Sequence, residues 1–237
     1  MALAPNERLY RERIWRRVRH VFRKGMKVLD AGCGPGGGAE LLAEAGCRVT
    51  AVDVGAYAAA WAAREKLGID FRRASAEALD FPDASFDGAW MMDALHHMAW
   101  PEKALAELLR VTRPGGPVAV IETNRNSPLT FVRMTLIAGH ETFGRGRLRR
   151  MLQDVDPAVR VFMVETRCLP WGHPAALACL AGVSDVLEAV KILDPWLTYT
   201  VGLLHGAGRP VEPKIDARES PARREARARS EAIACKR

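Results

Sequence analysis

Two aspartates bracket a glycine loop in the first quarter of this chain, and that pairing suits a nucleotide-like ligand. Asp30 closes the apolar run Val28-Leu29 and leads into Ala31-Gly32-Cys33-Gly34-Pro35-Gly36-Gly37, after which a helix-forming run begins at Ala39. Glycines at a strand–helix turn let the backbone approach a ligand closely, and the helix N-terminus offers unpaired N–H groups to an anionic part of it. Asp53 ends a second apolar run, Val49-Thr50-Ala51-Val52. It sits where a carboxylate can accept both hydroxyls of a ribose. Gly32-x-Gly34-x-x-Gly37 also matches the pattern that binds dinucleotides, with an acid about 20 residues on.

Charge separates the two ligands these residues suggest. Asp30 would stand close to the doubly negative pyrophosphate of NAD. S-adenosylmethionine has no phosphate; it carries a sulfonium, an ammonium and a carboxylate. Asp30 would favour the cationic groups, and the helix N-terminus the carboxylate. Acid, glycine loop and second acid therefore fit S-adenosylmethionine better.

On these residues the chain resembles the class I (Rossmann-like) S-adenosylmethionine-dependent methyltransferases, in particular the group that includes quinone and small-molecule methyltransferases. Val28 to Gly37 matches the first motif of that family, and Val49 to Asp53 its second strand. Ser75-Ala76-Glu77-Ala78-Leu79 with Phe81-Pro82-Asp83-Ala84-Ser85-Phe86-Asp87, then Leu95-His96-His97-Met98, then Arg110 to Gly116, match three later landmarks in order. The likeness runs from about Lys27 to Glu122. It implies cofactor contacts from Asp30, Gly32, Cys33, Gly34, Gly36, Asp53 and Val54, from Ser75, Ala76 and Glu77 around the adenine, and from Met92 and Asp93. Ser75 departs from the pattern, since an aspartate is common there; a hydroxyl accepts a hydrogen bond more weakly than an ionised acid. Cys33 reads as a small filler of the loop, not a nucleophile.

Methyl transfer is an in-line displacement at a sulfonium carbon, so it needs alignment of the reactants and exclusion of water. A base is needed only when the acceptor must lose a proton early. His97 and His96 are the candidates for that role, because imidazole titrates near neutrality. His140, Glu141 and His173 rank below them, and no metal-ligand spacing is visible.

To position such groups the chain must alternate strands and helices. Strands are expected at Lys27–Ala31, Arg48–Asp53, Asp70–Ala74, Phe86–Met92, Pro117–Glu122, Val159–Thr166 and Thr198–Leu204. Helices are expected at Gly38–Ala45, Tyr57–Leu67, Pro101–Val111, Arg145–Val155 and in the apolar run Pro174–Leu193. This order predicts an α/β fold: a Rossmann-like, seven-stranded, mostly parallel sheet with helices on both faces, plus helical insertions in the C-terminal third. Ligands of such sheets bind beyond the carboxyl ends of the strands at the switch point.

Residues 1–25 are read as a basic N-terminal helix, 26–207 as the methyltransferase domain with 124–195 as its variable, substrate-side region, and 208–237 as a basic tail without an apolar stripe, expected to be disordered. A length of 237 residues with 49% hydrophobic content can fill a substantial core. The net charge of +7 is concentrated at the two ends. The basic helix reads as packing on the domain edge, with peripheral contact to anionic lipid as its sharper alternative. Arg223, Arg224, Arg227 and Arg229 lack interleaved aromatics, which disfavours nucleic acid as a partner. Five scattered cysteines and the lack of a signal-like or spanning segment suggest a cytoplasmic protein, with peripheral membrane contact and a homodimer compatible with the sequence. The expected function is transfer of a methyl group from S-adenosylmethionine to a small-molecule or lipid-like acceptor. A non-catalytic cofactor-binding scaffold and an NAD-linked oxidoreductase are the alternatives.

Overall fold

A computed structural model of the chain describes residues 5–137, 142–165 and 197–214, together with positions 183, 186, 187, 189 and 190. Seven strands form one sheet in the order β3-β2-β1-β4-β5-β7-β6. They are β1 (Lys27–Ala31), β2 (Arg48–Asp53), β3 (Asp70–Arg73), β4 (Gly88–Met92), β5 (Pro117–Thr123), β6 (Arg160–Val164) and β7 (Tyr199–His205). All neighbours are parallel except around β7, which runs against both β5 and β6. The chain order reverses between β1 and β4, so the switch-point crevice opens beyond Asp30 and Met92.

Helices α1 (Pro5–Val18), α2 (Gly37–Glu44), α3 (Ala58–Ala62), α4 (Pro101–Val111), α5 (Pro128–Thr130, continuing as a π-helical turn over Phe131–Ile137) and α6 (Arg145–Val155) complete the described residues. Alternation along the strands divides the core into two layers. Leu29, Met91 and Val120 face the layer that holds Leu105, Leu108, Leu148 and Leu152 of α4 and α6. Val28, Trp90 and Ile121 face the other, with Ile14 and Val18 of α1 and Leu42 of α2.

Several boundaries differ from those expected. The helix read over Tyr57–Leu67 is broken: α3 stops at Ala62, Arg64 turns inward to pair with Glu40 at 2.9 Å, and a single 3-10 turn follows over Glu65–Leu67. Phe86 forms only an isolated bridge to Thr112, so β4 starts at Gly88. The N-terminal helix ends at Val18, and Arg19–Val21 is a 3-10 turn. Between β5 and α6, where no helix is expected from the sequence, lies the helical run Pro128–Ile137. Nearly all of Pro174–Leu193, His140, Glu141, His173, Cys168, Cys179, Cys235 and the tail beyond Lys214 lie outside the described residues.

Candidate active site

The glycine loop between β1 and α2 depends on backbone that other residues resist. Gly36, the N-cap of α2, has φ +96°, and a side chain there would press on the Phe71 ring and the Arg64 stem. At Gly38 a Cβ would lie 2.7 Å from the Trp90 indole nitrogen and 3.0 Å from Asp30 Oδ2. Trp61 donates its indole N–H to the Gly34 carbonyl at 2.8 Å and stacks on Phe71, ring centroids 5.1 Å apart. The loop is thus held from both sides.

Asp53 ends β2 and carries this loop directly. Its Oδ2 accepts the Gly34 N–H at 2.8 Å and its Oδ1 the Gly55 N–H at 2.7 Å. It does not cap α3, whose N-cap position is Tyr57. Val54 beside it is exposed, as is Tyr57.

Asp30 is buried, and burial, the largest influence, pushes its carboxyl group up to about 7 against the opposing effects of Arg11 and of the Ala39 N–H that it accepts. Its second oxygen, Oδ2, has no hydrogen-bond partner in the structure. Cys33 is buried, and its thiol is pushed well above the ordinary thiol range by burial and by Asp30 and Asp53, so it is an inert filler.

The loop after β3 is more self-contained than expected. Ser75 Oγ accepts the Glu77 N–H at 3.2 Å, and Ala76 is buried. Glu77, expected around the adenine, turns inward and accepts the Trp100 N–H at the start of α4. Burial raises its pKa.

Beyond β4, Met92 is buried and Asp93 takes a left-handed backbone, φ 51°, which aspartate tolerates better than most side chains. Tyr199 donates its hydroxyl to Asp93 Oδ2 at 3.1 Å, while Oδ1 is buried without a hydrogen-bond partner. Burial, then Glu122, raise Asp93 to about 6. His96 and His97 occupy the 3-10 turn that follows, with ring centroids 4.0 Å apart. His97 is exposed; the His96 side chain is buried, its Nδ1 2.6 Å from Glu122 Oε2. Glu122 Oε1 accepts the N–H groups of Ala94 at 3.1 Å and Leu95 at 2.6 Å. Burial opposes the charged form of His96, but Glu122 outweighs it and raises the imidazole above its ordinary value.

The structure brings Asp30, Gly32, Cys33, Gly34, Gly36, Asp53, Met92, Asp93 and both histidines to the carboxyl edge of the sheet around the switch point. Sequence reasoning missed Glu122, Tyr199 and Arg11. The signal for Glu122 was present: an acid ends the apolar run Val118-Ala119-Val120-Ile121, as Asp30 and Asp53 end theirs.

Residues 29–120 match the family model described as a methyltransferase domain. Over 98 residues the chain is 42% identical to a demethylmenaquinone methyltransferase of Renibacterium salmoninarum, covering 41% of each protein. Over 188 residues it is 32% identical to the 2-methyl-6-phytyl-1,4-hydroquinone methyltransferase of Synechocystis, covering 73% of this chain and 48% of that protein. The chain thus spans less than half the length of both curated relatives. Its fold superposes on a SAM-dependent methyltransferase from Archaeoglobus fulgidus with a TM-score of 0.62 at 17% identity, covering 83% of this chain and 93% of that one. Domain match, sheet topology and the acid–glycine–acid crevice agree: the chain belongs to the class I, Rossmann-like S-adenosylmethionine-dependent methyltransferases.

Proposed function

We propose that this protein transfers the methyl group of S-adenosylmethionine to a small-molecule or lipid-like acceptor. The observation that carries the reading is Asp30: a buried carboxylate with one oxygen lacking a hydrogen-bond partner, beside Gly36 and Gly38, where an added side chain would clash. Burial outweighs the Arg11 charge at Asp30, so its ionised form is not fully compensated and stays costly until a further cation arrives. A cationic, phosphate-free ligand satisfies that demand, and a pyrophosphate would aggravate it.

The residues present fit the cofactor. Asp53 keeps lone pairs beyond its two backbone bonds for the ribose hydroxyls, with Val54 beside the sugar and base. Ala76 offers backbone to the adenine; Ser75 and Glu77, both engaged within the protein, shape that pocket. Gly32, Cys33, Gly34 and Gly36 give backbone contact, and Asp30, Met92 and Asp93 flank the methionine end. When bound, S-adenosylmethionine supplies an electrophilic methyl group on a sulfonium. The protein's own contribution is alignment, dehydration and, for an acidic acceptor, proton removal. His96, whose charged form Glu122 favours, positions the 3-10 turn, while the exposed His97 is the group able to take a proton. Relatives named for quinone substrates support an apolar acceptor.

Incubating the full chain with methyl-labelled cofactor and a cell extract, followed by mass analysis, tests the reading. A small molecule or lipid should gain a methyl group. Tight binding of S-adenosylhomocysteine without any methylated product would favour the scaffold reading, and preference for NAD in a parallel titration would overturn the cofactor assignment.

A further inference from the structure

The N-terminal helix reaches the cleft. Trp15 of α1 lies against Trp90, ring centroids 5.9 Å apart, and Trp90 is the register partner of Asp30 across β1 and β4. One turn toward the helix N-terminus, about 6 Å along the axis, brings Arg11 from that level to the carboxyl edge of the sheet. Arg13 marks the same height independently. Its Nε donates to the Glu165 carbonyl at 2.7 Å, and Glu165 follows Val164, which pairs with Tyr199 and through it aligns with Thr123 at the end of β5. Ile14 and Val18 are fully buried, so this placement is fixed by the core.

At that edge the Arg11 charge acts on two carboxylates, the buried Asp30 and the half-buried Asp93, and favours the ionised form of each. Each of them also presents one oxygen without a hydrogen-bond partner. The start of α2 was the sequence's candidate for holding the cofactor carboxylate, but its first turn, at Ala39, lies beside Asp30 and favours the ionised form of that acid. A free α-amino acid group brings an ammonium and a carboxylate together. The cleft meets it with two carboxylates and one guanidinium.

We propose that Arg11 is a specificity-determining residue that pairs with the carboxylate of the cofactor's methionine moiety, while Asp30 and Asp93 hold its ammonium, so that α1 reads the amino-acid end of the ligand. This deepens the cofactor assignment above and rests on it. An arginine is suited to the task because its planar fork matches a carboxylate with two parallel bonds.

Two probes separate this role from a structural one. S-adenosylhomocysteine carries the amino-acid group; 5′-methylthioadenosine keeps the adenosine and thioether but lacks it. Calorimetric titration of the full chain should show that Arg11→Gln weakens S-adenosylhomocysteine roughly tenfold or more, the scale of a lost charge-assisted hydrogen bond, and leaves methylthioadenosine unchanged. Arg11→Lys should fall between. Equal weakening of both ligands, or undiminished affinity for S-adenosylhomocysteine, overturns the assignment. If wild type binds methylthioadenosine no more weakly than S-adenosylhomocysteine, the amino-acid end is not read and the proposal fails while the adenosyl reading stands. Wild type binding neither removes the cofactor reading and this proposal together.

Discussion

At the scale of single residues, the burial of Asp30 has a measurable consequence in the free protein. Its folded-state value of about 7 lies above the 3.8 of an unfolded aspartate, so the folded state binds the proton more tightly. Stability therefore falls as pH rises from about 4 to about 7, each unit of displacement being worth about 1.4 kcal/mol. Asp30→Asn removes this slope. In thermal melts without ligand, the variant should equal wild type only below about pH 4 and exceed it increasingly up to about pH 7 and beyond, yet lose most of the stabilisation by S-adenosylhomocysteine. A variant that melts below wild type at pH 8 would mean that Asp30 is already compensated within the protein. Asp53→Ala has a different signature: it frees the Gly34 and Gly55 N–H groups and removes the ribose acceptor, so the ligand-induced rise in melting temperature should vanish at every pH. Both aspartates were legible in the sequence, because each ends an apolar strand and together they bracket the glycine loop. Arg11 was not, since one arginine among many on a basic helix carries no local mark of what lies above it.

At the scale of elements, the joint between β5 and the turn after β4 depends on Glu122. Its carboxylate receives two backbone N–H groups and the His96 imidazole, all buried. The His96 value is raised in the folded state, so the stabilisation from this pair is complete below the ordinary 6.5 and is lost as pH rises through the folded value. Glu122→Gln should cost about 3 kcal/mol near pH 6 in denaturant unfolding, the scale for breaking a buried ion pair, and less on the alkaline side. A cost that did not change with pH would show the histidine to be neutral. The α2–β4 seam offers a steric counterpart. Gly38→Ala drives a methyl group into the Trp90 indole and Asp30 and should cost about 1–3 kcal/mol, with cofactor affinity falling alongside. Element order and the bounds of α6 followed from apolar periodicity and the glycine and proline turns. The break at Ala62 did not, because alanine-rich sequence favours helix and only the inward Arg64–Glu40 pair, a tertiary contact, ends it.

At the scale of the whole molecule, the chain is polarised along the strands. The basic positions Arg16, Arg19, Arg23 and Lys24 are exposed where α1 descends to the amino edge, since Phe22 just after it lies 3.3 Å from the Cβ position of Gly88 at the start of β4. The cleft is at the opposite edge. There the chain leaving β5 exposes Phe131, Val132 and Leu136, the last 66% accessible. Among the described residues no helix is long and apolar enough to cross a membrane. The apolar face of α1 is spent on the core, so attraction of this helix to anionic lipid would be electrostatic, screened by salt, and would point the cleft away from the bilayer. An apolar acceptor is therefore expected to enter over the Phe131–Leu136 rim, not past the arginines. Two charge variants separate the poles. Leu136→Asp, at an exposed position of little consequence for stability, should raise the KM for an apolar acceptor several-fold while leaving S-adenosylhomocysteine affinity intact. Arg16→Glu with Arg19→Glu should weaken sedimentation with phosphatidylserine vesicles at low salt and leave both of those constants unchanged. If the arginine pair alters the acceptor KM and Leu136→Asp does not, the acceptor reaches the cofactor from the basic side and this polarity is reversed.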